Sequence, residues 1–256
     1  MAFQLITCVL LLIVLAALYL INRKITRVDR ATWNLPIYLD SKINDAELRL
    51  YHQIEALTGL NALIHPNVPL PALRGWAGSP DFLLELARKV IAQKPTTIVE
   101  CSCGASTLVS AHACRLLGSG HVYSLEHEPK FAQETRDRLK DAGLEQWASV
   151  IDAPLETLEI AGEAFPWYAL TALPKLSIDL LVVDGPPGGL RPLARYPAGP
   201  MLLPQLVSGG YVLVDDARRP DEKEMVKRWL NEFPKLQHDS RPTEQGLVTL
   251  SNPESK

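Results

Sequence analysis

Five short apolar runs in this chain each end on a carboxylate. They are Thr97–Glu100, Val122–Glu126, Val150–Asp152, Leu180–Asp184 and Tyr211–Asp216. Runs that are this short and this rich in Val, Ile and Leu are typical of buried parallel strands, and helical stretches separate most of them. The alternation predicts an α/β fold with a doubly wound sheet, which binds its ligand beyond the carboxyl ends of the strands. The predicted crevice is therefore lined with acids, which suit a cationic, donor-rich ligand better than a bare phosphate.

The predicted elements follow one another in regular alternation. Strands are expected at 97–100, 121–126, 149–152, 178–184 and 210–215, and helices at 80–93, 105–117, 129–142, 199–207 and 220–232. Two further runs, Leu236–Ser240 and Gly246–Leu250, have the spacing of an antiparallel hairpin. The stretch that contains Phe165, Trp167 and Tyr168 is less regular and carries no predicted element.

The N-terminus is a separate apolar segment. Every residue from Leu5 to Ile21 except Thr7 is apolar, and Phe3 extends the run, so its length approaches the roughly 20 residues that a helix needs to cross a bilayer. Basic residues follow at once: Arg23, Lys24, Arg27 and Arg30. The positive-inside rule then predicts a single-pass membrane protein, with residues 3–21 in the lipid bilayer, the N-terminus outside and the remainder of the chain in the cytoplasm. A signal peptide and a buried core helix are the alternatives, but basic residues before the run and a good cleavage site are missing.

These features divide the chain into three parts. Residues 1–22 are the predicted transmembrane anchor, 23–68 a juxtamembrane linker with a helix, and 69–256 the catalytic domain. The linker helix is expected to start near Asn44 and to end at Gly59. It either packs on the domain or forms a dimerising or membrane-proximal arm, so a homodimer is one expected assembly.

Composition narrows the class of partner. The 256 residues carry a formal net charge of −3, which argues against a basic nucleic-acid-binding surface, and no nucleic acid is expected as a partner. The four cysteines do not form a disulfide framework, which agrees with a reducing compartment.

The segment Val99–Thr107 predicts a strand, a tight turn of small residues and a helix start. Small side chains let backbone N–H groups and the helix N-terminus approach a ligand closely. Only Gly104 is a glycine here, so the G-x-G-x-x-G pattern of dinucleotide enzymes is absent. Glu126, at the end of the second strand, lies where a ribose-binding acid belongs.

With these residues, positions 69–250 resemble the class I S-adenosylmethionine-dependent methyltransferases. The similarity is greatest to a bacterial branch whose first motif is V-E-x-G-x-G-x-S-T, from which Ser102 departs because the first glycine is expected there. The resemblance implies a Rossmann-like seven-stranded sheet that ends in the antiparallel hairpin. It also implies the cofactor-binding residues. Glu100 and the turn with Ser102, Gly104 and Ser106 would hold the methionine end, Glu126 the ribose, and Asp152 with Ala153 the adenine.

Three acids at the far end of the crevice are the candidates for catalysis: Asp184, Asp215 and Asp216. They could hold a divalent cation such as Mg²⁺, which binds substrate hydroxyls and lowers their pKa. One of them could instead act as a general base, or all three could be structural. The arrangement is similar to that of metal-dependent catechol-type and sugar O-methyltransferases, with one Asp after the fourth strand and a pair after the fifth.

Arg195 and Tyr196 are the candidate substrate-binding residues, on a loop that could close over the crevice. Alternatively, Arg195 or Arg218 pairs with Asp184 or Asp216. Arg74 and Trp76 are candidates for the opposite lip, although Trp76 is expected to be an ordinary packed side chain.

These observations predict a membrane-anchored O-methyltransferase that acts on a hydroxylated small molecule, a sugar or a lipid-linked glycan. The alternative is an anchored module that binds the cofactor or a partner without turnover. A nicotinamide-dependent oxidoreductase is less favoured, because the glycine fingerprint and a Tyr-x-x-x-Lys pair are missing.

Overall fold

The computed structural model describes residues 2–73 and 75–254. Its helices are α1 (Ala2–Ile64), α2 (Pro80–Gln93), α3 (Ala105–Leu117), α4 (Pro129–Asp141), α5 (Ala198–Leu202) and α6 (Pro220–Glu232). Its strands are β1 (Thr97–Cys101), β2 (His121–Glu126), β3 (Ala148–Asp152), β4 (Leu155–Ile160), β5 (Glu163–Tyr168), β6 (Ile178–Val183), β7 (Leu206–Val214), β8 (Gln237–Arg241) and β9 (Leu247–Ser251). Contacts between residues divide the chain into a unit up to Tyr51 and a unit from His52 onward.

The larger unit contains a seven-stranded sheet with the order β3-β2-β1-β6-β7-β9-β8. The five strands from β3 to β7 in this order are parallel, and β9 and β8 continue the sheet antiparallel. The chain order reverses between β1 and β6, which creates the switch point where such sheets bind ligands. This confirms the predicted Rossmann-like doubly wound α/β sheet with a C-terminal antiparallel hairpin.

The core of this unit lies on both faces of the sheet. Alternate residues along each strand point to opposite faces, so Ile98 of β1 packs with α2, α3 and α4, while Val99 packs with α5, α6 and the β4–β5 ribbon. The last turns of α1 also join the first of these layers through Ala56, Leu60 and Ile64, which are buried.

The structure differs from the prediction in the irregular stretch. Residues 155–168 form an antiparallel ribbon of β4 and β5, joined at Ala161 and Gly162, both of which have positive φ. The sequence signal was weak because the turn lacks the usual Asn-Gly or Asp-Gly pair and Pro166 interrupts the second strand.

The helix predicted at 199–207 is also shorter. It is α5, which ends at Leu202 and is followed by a short 3₁₀ turn over Leu203–Gln205 before β7 begins.

The smaller unit is helical. The predicted start near Asn44 does not occur, because α1 continues through it; no glycine precedes Gly59, and Pro36 is the one proline inside the helix. Among the described residues, α1 is the one helix that is long and apolar enough to cross a membrane. Signal sequences and buried core helices share that length and apolarity, but the apolar stretch here is not buried in the chain. The predicted domain division at residue 69 stays a prediction.

Candidate active site

The strand register brings the predicted acids into one row. Cys101 of β1 pairs with Leu125 of β2 and with Val183 of β6, and Val183 pairs with Val214 of β7. The residues that follow these four in the chain are Ser102, Glu126, Asp184 and Asp215. Asp152 at the end of β3 pairs with Glu126 and extends the row. Five parallel strands therefore present polar residues at the same edge of the sheet.

Glu100 is a buried acid with one unsatisfied oxygen. Its Oε2 accepts hydrogen bonds from the hydroxyls of Thr107 (2.7 Å) and Ser124 (2.8 Å), whereas its Oε1 is buried without a partner. Burial raises the pKa of Glu100 to about 7, although the neighbouring hydroxyls of Ser106, Thr107 and Ser124 lower it. A buried acceptor without a donor is costly unless a ligand supplies one.

The turn after Glu100 has an unusual backbone. Ser102 has a φ of 102° and Gly104 a φ of 136°, both in the region that favours glycine. A Cβ built on Gly104 meets nothing within 4 Å, so open space lies beside the first turn of α3. By contrast, a Cβ on Gly185 would lie 2.9 Å from the Cβ of Ser102, which shows how closely the β1 and β6 ends approach.

Glu126 is held by the backbone that follows it. Its Oε1 accepts from the N–H groups of His127 (2.8 Å) and Glu128 (2.9 Å), which leaves Oε2 for another donor. The N–H of Ala153 donates to the Glu126 carbonyl at 2.7 Å, and Ala153 is fully buried. The Asp152 side chain points outward, 64% exposed, and pairs with Arg136 at 2.7 Å.

These features fit S-adenosylmethionine, the cofactor that the resemblance implies. The ammonium of its methionine part would supply the donor that Glu100 Oε1 lacks, and the space at Gly104 admits a close backbone approach. The remaining Glu126 oxygen suits a ribose hydroxyl. Asp152 pairs with Arg136, and its contact with the adenine stays a prediction.

The far end of the row is an acid cluster organised by one arginine. Arg195 is 5% exposed, and its Nη2 lies 2.9 Å from Asp216 Oδ2 and 3.4 Å from Asp184 Oδ1. Its Nη1 lies 3.7 Å from Glu222 Oε1, on α6. Arg219 adds a second cation, 2.8 Å from Asp216 Oδ2. Of the two alternatives for Arg195, the structure has the pairing with acids.

Burial and mutual repulsion weaken the acidity of this cluster. The pKa of Asp184 is raised to about 6, chiefly by burial. The charges of Asp216 and Glu222 contribute to this rise, and those of Arg195 and Arg219 oppose it. Burial also raises the pKa of Asp215 well above its ordinary value, helped by the charge of Asp184. Asp215 Oδ1 is buried without a hydrogen-bond partner, which favours a protonated carboxyl there.

The residues present do not fit a divalent cation as they lie. The Arg195 guanidinium already lies between Asp184, Asp216 and Glu222, where a cation would have to bind. Among residues 2–73 and 75–254, no group of three or more His, Cys, Asp and Glu side chains is arranged to hold a metal ion. The other two alternatives for these acids, a general base and a structural role, need no cation.

Tyr196 does not join the cluster. It is 6% exposed, and its hydroxyl donates to Glu232 of α6 at 2.6 Å. Its ring packs on Phe165, and its carbonyl accepts from Trp229 Nε1. On the predicted opposite lip, Trp76 is 92% exposed, so it is not the packed side chain expected, and Arg74 lies outside the described residues.

Sequence reasoning missed Tyr168, the last residue of β5. Its hydroxyl lies next to Gly185, 2.4 Å from where a Cβ on that glycine would be, and its ring contacts His127 edge-on. Burial raises the pKa of Tyr168 well above its ordinary value, so the hydroxyl stays protonated. No sequence signal pointed to it, because only the β4–β5 ribbon brings residue 168 back to the row. Glu222 was missed for a similar reason, since it lies in the first turn of α6 and not at the end of a strand.

Comparison with known proteins supports the α/β fold of the larger unit. A family model described as a methyltransferase domain matches residues 99–217. No curated protein matches the chain.

Among solved structures, the O-methyltransferase TomG from Streptomyces achromogenes, in complex with S-adenosylmethionine, has a TM-score of 0.52 at 18% identity. That match covers 82% of this chain and 96% of the other. An O-methyltransferase from Bacillus cereus, in complex with S-adenosylhomocysteine, has a TM-score of 0.52 at 16% identity over 78% of this chain and 90% of the other. The methyltransferase PaMTH1 from Podospora anserina has a TM-score of 0.51 at 18% identity, with 78% and 88% covered.

The matched segment begins in β1 and ends just after Asp216, so it contains the whole row of acids. The larger unit thus has the class I fold of the S-adenosylmethionine-dependent methyltransferases, and residues 99–217 match the model of a methyltransferase domain.

Proposed function

We propose that this protein binds S-adenosylmethionine and transfers its methyl group to a hydroxyl oxygen of a small molecule. The observation that carries the proposal is Glu100, whose buried Oε1 has no donor. The turn that follows Glu100 in the chain has open space beside Gly104, where a ligand has room. Glu126 supports it with a carboxylate oriented by two backbone N–H groups. The O-methyltransferases with the same fold add to this support.

Methyl transfer asks two things of the protein. The acceptor oxygen must be held in line with the methyl group, and its proton must be removed as the new O–C bond forms. The cofactor supplies an activated methyl on a positively charged sulfur, and the S–C bond breaks in the same step. Asp184 is the proposed base, because it is the most exposed carboxylate of its cluster, at 15%, and its pKa of about 6 leaves it ionised near neutral pH. Tyr168, protonated beside Gly185, is placed to donate a hydrogen bond to the acceptor.

The proposed location is the cytoplasmic face of a bacterial inner membrane. The apolar start of α1 would cross the bilayer, and Arg23, Lys24, Arg27 and Arg30 would remain on the cytoplasmic side. A protein anchored in this way would act on a membrane-borne acceptor, such as a hydroxylated small molecule, a sugar or a lipid-linked glycan. Reporter fusions at Lys256 and at the N-terminus test the orientation, and a cytoplasmic N-terminus would contradict it.

Calorimetric titration of the full chain in detergent with S-adenosylmethionine tests the cofactor. We expect micromolar binding that Glu126→Gln weakens by about tenfold or more, since hydrogen bonds to a charged group contribute about 1.5–3 kcal/mol. Glu134→Gln, on the exposed face of α4, is the matched control and should bind as the wild type does. Absence of binding by the folded wild type would refute the proposal.

Turnover separates this proposal from a module that binds the cofactor without catalysis. Ser102 favours that alternative, because a residue with a φ of 102° stands where the related motif has glycine. Transfer of a radiolabelled methyl group to an extract of bacterial membranes and metabolites would support the enzyme. Binding without any transfer, in the wild type and in Asp184→Asn alike, would favour the module.

A further inference from the structure

Four carboxylates and two guanidinium groups meet at the ends of β6 and β7. Asp184, Asp216 and Glu222 form ion pairs with Arg195 or Arg219, and Asp215 interacts with the charges of Asp184, Asp216 and Arg195. Arg195 is the inner cation, 5% exposed, whereas the side chain of Arg219 is 49% exposed. Two cations of the chain, one of them buried, therefore neutralise part of the charge of the four acids.

Arg195 is fixed by more than its ion pairs. Its Nε donates to the carbonyl of Pro186 at 3.3 Å, and its Nη1 donates to the carbonyl of Asp215 at 3.5 Å. Its Nη2 faces Asp184 and Asp216. All three guanidinium nitrogens thus have acceptors, and two of these acceptors are backbone carbonyls that do not depend on the acids. A planar group with several donors is suited to such a site, and it cannot lose its charge by deprotonation.

The position of this guanidinium decides what else can bind. Acids at the ends of neighbouring strands would otherwise attract a hard divalent cation, which needs several oxygen ligands at 2.0–2.6 Å. Asp216 Oδ2 is already shared by Arg195 and Arg219, and Glu222 Oε1 also faces both. A divalent cation would have to displace a buried arginine or approach it closely in a region where water screens charges poorly.

We propose that Arg195 takes the place of a divalent cation in this site, so that the acids bind no metal and Asp184 meets the substrate directly. This inference rests on the proposed methyltransferase function for the identity of the substrate, but not for the claim about metal. Arg195 is then a positioning residue, which acts through Asp184 and does not itself contact the acceptor.

The test is a titration of the full chain with Mn²⁺, in which electron paramagnetic resonance measures the free ion. The wild type is expected to have no site tighter than about 1 mM, and Arg195→Met, which removes the charge but keeps a long side chain, is expected to bind Mn²⁺ about tenfold or more tightly than the wild type. Arg191→Met is the matched control, because Arg191 pairs with Glu163 outside the cluster, and it should behave as the wild type does.

Two results would overturn the proposal. One is stoichiometric, micromolar Mn²⁺ binding by the wild type that Asp184→Asn abolishes. The other is a folded Arg195→Met that binds no more Mn²⁺ than the wild type. If Arg195→Met does not fold, the titration of the wild type is sufficient. Absence of a Mn²⁺ site tighter than about 1 mM supports the proposal, and a tighter site that Asp184→Asn abolishes overturns it. Titration with S-adenosylmethionine in the presence of EDTA keeps the two proposals apart: a lack of cofactor binding refutes the function, whereas Mn²⁺ binding refutes this inference.

Discussion

Replacement of Ser102 by glycine should stabilise the protein. Ser102 has a φ of 102°, where a side chain crowds the backbone at a cost of about 1–2 kcal/mol. Glycine removes that cost but adds freedom to the unfolded chain, which lowers the gain by about 0.4–1 kcal/mol. The expected net increase in the free energy of unfolding is therefore about 1 kcal/mol. In a unit of about 200 residues this corresponds to a rise in Tm of about 2–4 °C.

The matched control is Ser102→Ala, because it removes the hydroxyl and keeps the Cβ that causes the crowding. Thermal unfolding of the full chain in detergent, followed by circular dichroism, compares the three proteins. Ser102→Ala should melt close to the wild type, and Ser102→Gly should melt above both. Equal melting temperatures for the two variants would show that the turn is not strained by its side chain, and the reasoning about this motif would fail.

Three further perturbations follow from contacts elsewhere in the larger unit. Glu100 has a pKa of about 7 in the folded chain against an ordinary 4.5, so the folded state holds its proton more tightly and loses stability as the pH rises from 4.5 to 7. Relative to Glu100→Gln, the wild type should lose up to about 3 kcal/mol over that range, and denaturant unfolding at pH 5 and pH 7.5 would measure it; a pH-independent difference would contradict the assignment. Gly199→Ala places a Cβ 2.0 Å from Trp229 Nε1 and should destabilise by about 2–4 kcal/mol, whereas Gly189→Ala, with nothing within 4 Å of the new Cβ, should have little effect on the unfolding free energy. Tyr196→Phe removes a hydrogen bond to Glu232 and should cost about 1 kcal/mol; a double-mutant cycle with Glu232→Gln should show coupling, and additive effects would mean that the bond contributes nothing.

The strands of the doubly wound sheet and the helices between them were predictable, because each is specified by apolar residues and helix signals within its own segment. β2, α3 and α6 have the bounds that the apolar runs and helix signals predict, since strands covered on both faces require continuous apolar residues. The β4–β5 ribbon was not predictable from such runs, because it is exposed on much of its surface and its turn uses Ala161 and Gly162. The length of α1 was underestimated, because the apolar pattern changes along the segment although the helix itself is continuous.

The row of acids was also predictable, since parallel strands end at one edge and each acid directly follows a strand. Glu100, Glu126, Asp184 and Asp215 therefore lie where their sequence positions indicate. The partners of these acids were not predictable. Tyr168 reaches Gly185 only through the ribbon, and Glu222 reaches Arg195 only because α6 packs against the loop after β6.

The sequence by itself determined the strands of the doubly wound sheet, their succession along the chain and the presence of an acid after each of them, because each of these depends on short apolar runs and the residues next to them. Only the tertiary structure decided which side chains pair with those acids. Arg195 belongs to an irregular loop, and no periodicity specifies where the side chain of such a residue lies. Its place among Asp184, Asp216 and Glu222 results from packing between the loop, β7 and α6. The acids therefore form an ion-paired cluster in which Asp184 is the most exposed carboxylate.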